Sequence, residues 1–402
     1  MKRVLAILIL FCFLCGCGAK MSDSEPTLIQ TEPLKTSEDT TTTKTPETTS
    51  IISATTVPET SECTRPPVIA LAEEVLSRLT TEELVGQLFL ARCPDIQAVE
   101  DVQRYHLGGY LLFGRDFEEQ TPASIQQRIA DYQAAASVPM LIAVDEEGGT
   151  VTRVSGKAAF RQEEFQPPRA LYSQGGKDLL VETEREKCRF LRNLGINVNM
   201  APVCDVTTDP NAFMYDRSLG QDPEETGECI RAVVQAMSEE NVGSVLKHFP
   251  GYGNNADTHT GIAVDDRSMQ ELNDRDLVPF RAGIQAKCGA ILVSHTIVNA
   301  LDSQMPASLS PAVNQFLRQD MEFNGVILTD DLCMQAISDA YGAEEAAVLA
   351  ILAGNDLLCS SDYAVQYQAV LQAVQDGRIS LEQIKASVLR VLRWKGTLGL
   401  LT

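Results

Sequence analysis

From residue 69 onward, short apolar runs alternate with amphipathic stretches, and no break is long enough to separate two domains. This repetition constrains the fold more than any other feature of the chain. The runs occupy residues 87–90, 109–113, 140–144, 197–201, 244–247, 290–293, 326–328 and 356–358. Most are separated by segments of helical period, such as 122–135, 226–240 and 311–321. Eight strand–helix units in about 330 residues fit a single α/β domain, a (β/α)8 TIM barrel with enlarged loops. An open doubly wound sheet is the rival, but no G-x-G-x-x-G follows the first run. With 44% hydrophobic residues, the 402-residue chain has the apolar content such a core requires.

In a TIM barrel, chemistry sits at the C-terminal ends of the strands. Those ends carry Asp145, Asp205, Lys247 with His248, His295, Asp330 with Asp331, and Asp356 in the last run, all expected on the same rim. A chain selected for stability alone has little reason to gather so many ionisable groups on one rim, so the rim marks a site.

The stretch before the barrel reads differently. Lys2 and Arg3 precede an apolar run over residues 4–14, too short for a comfortable membrane span and typical of a secretory signal peptide. Leu14-Cys15-Gly16-Cys17 resembles a bacterial lipobox, which implies cleavage before Cys17 and a lipid on its thiol; an ordinary signal peptide is the alternative. Residues 18–67 are rich in Thr, Ser, Pro and Glu and cannot bury enough apolar surface to offset their ordering entropy. The expected organisation is a lipoprotein signal peptide over 1–17, a disordered tether over 18–67 and one catalytic barrel over 68–402. The expected location is extracytoplasmic, anchored to the bacterial cell membrane only through the N-terminal lipid.

The formal net charge is −22, and nearly all of it falls after residue 67. Such a surface repels phosphate backbones, which excludes nucleic acid as a natural partner. Of the 11 cysteines, the seven in the barrel region include no C-x-x-C pair and no Cys/His spacing suited to zinc, so no metal or cofactor is expected. The seven thiols of the barrel region are expected to be mostly buried and free.

Four segments carry the chemistry. In KHFPGYGNNADTHTG (247–261), Lys247 and His248 end an apolar run and a Gly-rich loop follows. Asp257 and His259 lie two residues apart, so in an extended loop the carboxylate can orient and charge-stabilise the imidazole. A histidine so placed suits a proton donor to a leaving group. The glycines at 251, 253 and 261 suggest a loop that moves and orders around a ligand. In GVILTDDLCM (325–334) an apolar run meets two aspartates, one of which should point into the barrel mouth, where a carboxylate can attack an anomeric carbon; the other can cap the next helix. AVDEEGGTVTRV (143–154) offers Asp145 and Arg153, and MYDRSLGQDP (214–223) offers Arg217, groups that suit sugar hydroxyls or, equally, surface ion pairs.

Together with LTTEELVGQLF (79–89), GGYLLFGRD (108–116), NVNMAPVCDV (197–206), LVSHTIVNALD (292–302) and AGNDLL (353–358), these segments closely resemble glycoside hydrolase family 3, in particular its single-barrel β-N-acetylglucosaminidase branch. The resemblance covers essentially the whole barrel region. It implies that Asp330 is the nucleophile, that His259 is the acid/base with Asp257 as its partner, and that Asp145, Arg153, Arg217, Lys247 and His248 bind the sugar. The implied activity is retaining hydrolysis of terminal β-linked N-acetylglucosamine from cell-wall fragments or other glycans. A neutral base in place of a carboxylate would repel phosphate less, so phosphorolysis is an alternative, and an inactive lipid-anchored glycan-binding barrel is another.

Overall fold

The computed structural model describes residues 67–253 and 261–401. Cys17 and the 18–66 stretch, and residues 254–260 with Asp257 and His259, lie outside the described residues.

Among the described residues ten strands occur in chain order: β1 (Phe89–Arg92), β2 (Gly109–Leu112), β3 (Leu141–Val144), β4 (Val198–Asn199), β5 (Gly243–Phe249), β6 (Val264–Asp265), β7 (Ala290–Val293), β8 (Ile297–Val298), β9 (Val326–Thr329) and β10 (Leu358–Ser360). Eight of them form one parallel sheet in the order β10-β1-β2-β3-β4-β5-β7-β9. β10 pairs with β1, and a bridge from Leu328 to Leu357 joins β9 to the residue before β10. The sheet therefore closes on itself as the expected barrel. β6 and β8 make a separate two-stranded ladder.

All eight expected runs become barrel strands, but the first and last begin two residues late. At the start, Gln87 caps the helix Thr81–Gly86 and keeps helical backbone, so the strand runs on to Arg92. At the end, the expectation that Asp356 belongs to the catalytic rim is wrong. Its carboxylate is fully buried and accepts the amide of Ile327, near the start of β9, at 2.9 Å. Arg318 and Arg390, from the helices Pro311–Gln319 and Leu381–Thr397, neutralise it, the latter at 2.9 Å. Two arginines from the outer layer make burial of this charge tolerable at the floor of the barrel, opposite the mouth.

Side chains alternate along the strands, apart from an irregularity in β5 between Leu246 and Phe249. Leu90, Leu111, Leu141, Ala143, Val245, Ala290, Val326 and Leu328 fill the barrel, while Phe89, Tyr110, Ile142, Leu246, Ile291 and Ile327 face the helices. The barrel cluster also takes in Val391 and Trp394 from the last helix. The indole lies so close that a Cβ on Gly243 would stand 2.9 Å from the ring, and one on Gly289 1.9 Å. Those two positions are glycine because the tryptophan occupies the space. Beside it, the wholly buried Lys395 donates to Gln87 Oε1 at 2.6 Å, and burial pushes its ammonium down to about 7.

The seven described cysteines are free thiols, and all but Cys333 are buried, as the absence of paired motifs led one to expect. Burial pushes the Cys93 thiol up to about 12, where it is unreactive at neutral pH. Among the described residues no helix is long and apolar enough to cross a membrane.

Trp394→Ala removes the floor of the barrel and should lower stability by about 3–5 kcal/mol, with Trp394→Phe costing less. Denaturant unfolding followed by far-UV circular dichroism measures both, and a loss below about 1 kcal/mol would show that the indole is not part of the core.

Candidate active site

The alternation that fills the barrel also builds its mouth. Two residues beyond the last inward apolar side chain, Leu90 gives way to Arg92, Ala143 to Asp145, Val245 to Lys247 and Leu328 to Asp330. All four line one cavity of about 360 Å³, together with Glu147, Arg153, Arg217, His248 and Asp331. Of the residues singled out from the sequence, the structure thus brings together Asp145, Arg153, Arg217, Lys247, His248 and Asp330.

Glu147, which the sequence reading passed over as part of a turn, is the centre of this cavity's charge balance. Its carboxylate is 1% exposed and lies 2.6 Å from Lys247 Nζ. Arg217 grips it with two parallel bonds, Nε to Oε2 at 2.9 Å and Nη2 to Oε1 at 2.8 Å. Burial opposes its ionisation, but the two cations outweigh that and hold the carboxyl well below the usual range. Lys247 also bonds Asp145 Oδ1 at 2.7 Å; burial works against the ammonium, and its two carboxylates raise its pKa nonetheless. No rule of spacing marks Glu147 rather than Glu146. Glu146 turns away and accepts the amides of Arg153, Val154 and Ser155, which shapes the turn that carries Arg153 to the cavity. Arg153 Nη2 then stands 3.9 Å from Asp145 Oδ2.

His248 is held from both sides. Arg217 Nη2 lies 3.1 Å from its Nε2, and a guanidinium only donates, so Nε2 accepts. That assigns the proton to Nδ1, which donates to Asp205 Oδ2 at 2.9 Å. Asp205 also accepts the amides of His248 at 3.2 Å and Tyr252 at 2.7 Å. Burial opposes its charge, but His248, the Tyr252 amide and Arg217 hold it below the ordinary carboxylate range. The rim position of Asp205 was legible in the sequence; its service to His248 was not.

The two consecutive aspartates divide as strand parity requires. Asp331 accepts the amides of Cys333 at 2.9 Å and Ser361 at 3.1 Å and the Ser361 hydroxyl, so it fastens the turn after β9 to the end of β10. Asp330 shares the inward face of Val326 and Leu328, and its Oδ1 accepts the Asp331 amide at 2.9 Å. His295, another rim candidate, is fully buried between Ser308 Oγ at 2.7 Å and the Asp331 carbonyl at 2.9 Å, where it supports that turn.

A closed parallel barrel with carboxylates and paired cations converging on a polar cavity at the C-terminal ends of its strands has the layout of a TIM-barrel active site. Comparison with known proteins names the class. Residues 80–394 match the Glycosyl hydrolase family 3 N terminal domain, and the chain belongs to that family of glycosidases. The beta-hexosaminidase LpqI of Mycobacterium tuberculosis is 33% identical over 356 residues, covering 85% of this chain and 87% of that protein. A beta-hexosaminidase of Idiomarina loihiensis is 36% identical over 265 residues, covering 63% of this chain and 76% of its own length. Among solved structures, a family 3 β-N-acetylglucosaminidase from Paenibacillus sp. str. FPU-7 superposes with a TM-score of 0.75 at 33% identity, over 80% of this chain and 63% of that one.

Glu147→Gln leaves Lys247 and Arg217 short of a buried negative charge and should cost about 3–5 kcal/mol at neutral pH. Because the native carboxyl titrates below the ordinary glutamate value of 4.5, the stability it contributes is present above that pH and lost as pH falls beneath it. The difference between the wild type and the variant should therefore be flat from pH 5 to 8 and shrink below pH 4.5. A difference that grows on acidification would refute the charge assignment.

Proposed function

We propose that this chain is a retaining exo-β-N-acetylhexosaminidase that removes terminal non-reducing β-N-acetylglucosamine from cell-wall fragments or other glycans. The observation that carries this reading is the convergence of Asp330 and the Asp145–Lys247–Glu147–Arg217 network on one cavity. The names of the relatives supply the sugar.

In this reading Asp145, Arg153, Arg217, Lys247 and His248 grip the hydroxyls of the terminal sugar. Their mutual ion pairs pre-organise the donors, so little reorganisation is needed when the sugar arrives. Asp330 attacks the anomeric carbon and forms a covalent glycosyl-enzyme with expulsion of the aglycone oxygen. His259, oriented by Asp257, donates the proton that the leaving oxygen takes up and then removes one from the incoming water. Residues 254–260 follow Gly253, next to Tyr252, which itself lines the cavity. The domain organisation in this proposal is a signal peptide ending at a lipidated Cys17, a tether over 18–67 and the catalytic barrel over 68–402, outside the cytoplasmic membrane.

The test compares Asp330→Asn and His259→Ala on N-acetylglucosaminides with activated and unactivated leaving groups. Asp330→Asn should abolish turnover of both, with a mechanism-based fluorosugar labelling Asp330 in the wild type. His259→Ala should lose ~10²–10⁴-fold on the poor leaving group and far less on the activated one. Labelling of Asp331, or equal losses on both substrates, would overturn the assignments. Sugar 1-phosphate formed on adding phosphate would instead identify a phosphorylase.

Cys17→Ser should move the protein from the membrane fraction to the soluble envelope or medium at unchanged specific activity. Unchanged partitioning would remove the lipid anchor from the proposal.

A further inference from the structure

The segment that carries Asp257 and His259 follows β5 of the barrel and precedes β6 of the two-stranded ladder, and one side chain holds the residues on either side of it. Arg267 Nη2 donates to the carbonyl of Gly251, on the outgoing stem, at 2.9 Å. Its Nε and Nη2 grip Asp265, in β6 on the returning stem, at 2.9 and 2.6 Å. Its Nη1 donates to Asp276 Oδ2 at 2.5 Å, which ties the assembly to the N-cap of the helix Leu277–Gln285. Both carboxylates are 1% exposed. The guanidinium spends its planar fork on two buried anions and one backbone oxygen, an arrangement a lysine cannot reproduce.

The surrounding residues are cut to fit this knot. A Cβ on Gly253 would stand 2.5 Å from Arg267 Cζ, and one on Gly251 2.7 Å from Asp276 Oδ1. Both glycines also have positive φ, 56° and 114°. The P-G-Y-G sequence thus has a steric reason for its glycines, whose backbone lies against an ion pair, while the loop movement expected from the sequence concerns residues 254–260, outside the described residues. Each stem has a second tie into the site's own framework. The Tyr252 amide bonds Asp205, the carboxylate that orients His248. The Asp265 carbonyl accepts the Asn299 amide at 2.9 Å, beside the β6–β8 ladder.

We propose that Arg267 is a positioning residue for catalysis. By fixing the spacing of the two stems, it sets where the intervening Asp257–His259 pair is presented to the glycosidic oxygen. It touches neither substrate nor nucleophile, and it acts only on the step that needs proton donation. This rests on the reading of His259 as the acid/base.

Arg267→Lys keeps a positive charge for the two buried carboxylates but loses the fork, and Asp276→Asn removes one leg of the knot while leaving both stems bonded. On an N-acetylglucosaminide with an unactivated alkyl leaving group, Arg267→Lys should lower kcat about 10-fold or more. On the 4-nitrophenyl glycoside, kcat should stay within about 3-fold, and KM and the rate of fluorosugar labelling of Asp330 should change little. Asp276→Asn should follow the same trend more weakly. A side chain that merely supports the fold would depress both substrates and the labelling alike, and that outcome, or wild-type rates on both substrates, would overturn the proposal. His259→Ala run in parallel separates the two readings. If it shows the leaving-group dependence and the Arg267 variant does not, the positioning role falls alone; if His259→Ala shows none, the acid/base reading falls first.

Discussion

Eight short strands that must close on themselves leave each strand few inward places, and everything at the site follows from that economy. Once residues such as Ala143 and Leu328 have filled the barrel, the next inward position opens on the mouth. A charged group there can meet a partner from a neighbouring strand, whereas two residues earlier it would be trapped in the hydrocarbon of the barrel and one residue earlier it would face the helices. Asp145, Lys247 and Asp330 occupy that single permissible layer. Asp331, one residue out of phase with Asp330, is taken up in holding the turn together.

Because the layer is common to several strands, like and unlike charges arrive within bonding distance of each other with no freedom to separate. Lys247 and Arg217 would repel each other across a dry wall without Glu147 between them. The resulting chain of pairs, from Asp145 through Lys247, Glu147 and Arg217 to His248 and Asp205, is nearly neutral in sum yet locally strongly polar. Such a wall presents donors and acceptors that are already aimed before any ligand arrives.

How much of this could be read from the chain alone depended on whether the cause was local. Strand positions came from apolar runs of the right length, and all eight were found because strand burial is written in consecutive residues. The site residues Asp145, Lys247, His248 and Asp330 followed because the end of a strand is a local event. The errors arose where partners are distant in sequence. Asp356 was placed on the wrong end of the barrel because its neutralising arginines sit 38 and 34 residues away on outer helices. Glu147 was missed because its meaning depends on Arg217, 70 residues on. The steric cause of the glycines at 251 and 253 was missed because Arg267 lies 16 residues from Gly251. Strand starts moved by two residues at Gln87, where a helical C-cap borrowed the first residue of an apolar run, and at Asp356, while the fourth run shortened to Val198–Asn199 and the fifth lengthened to Gly243–Phe249.

The floor of the barrel has a bearing on how such a chain is made. Trp394, Lys395 and Arg390 all lie on the helix Leu381–Thr397, and they reach respectively into the barrel interior, to Gln87 before β1, and to Asp356 before β10. A polypeptide emerging from its N-terminus could pair its early strands but would have an unfilled base until this helix had followed them. Filling the base is thus a long-range event, since Lys395 meets Gln87 across 308 residues of sequence. The early strands gain their full stability only together with that helix, which makes the barrel one cooperative unit.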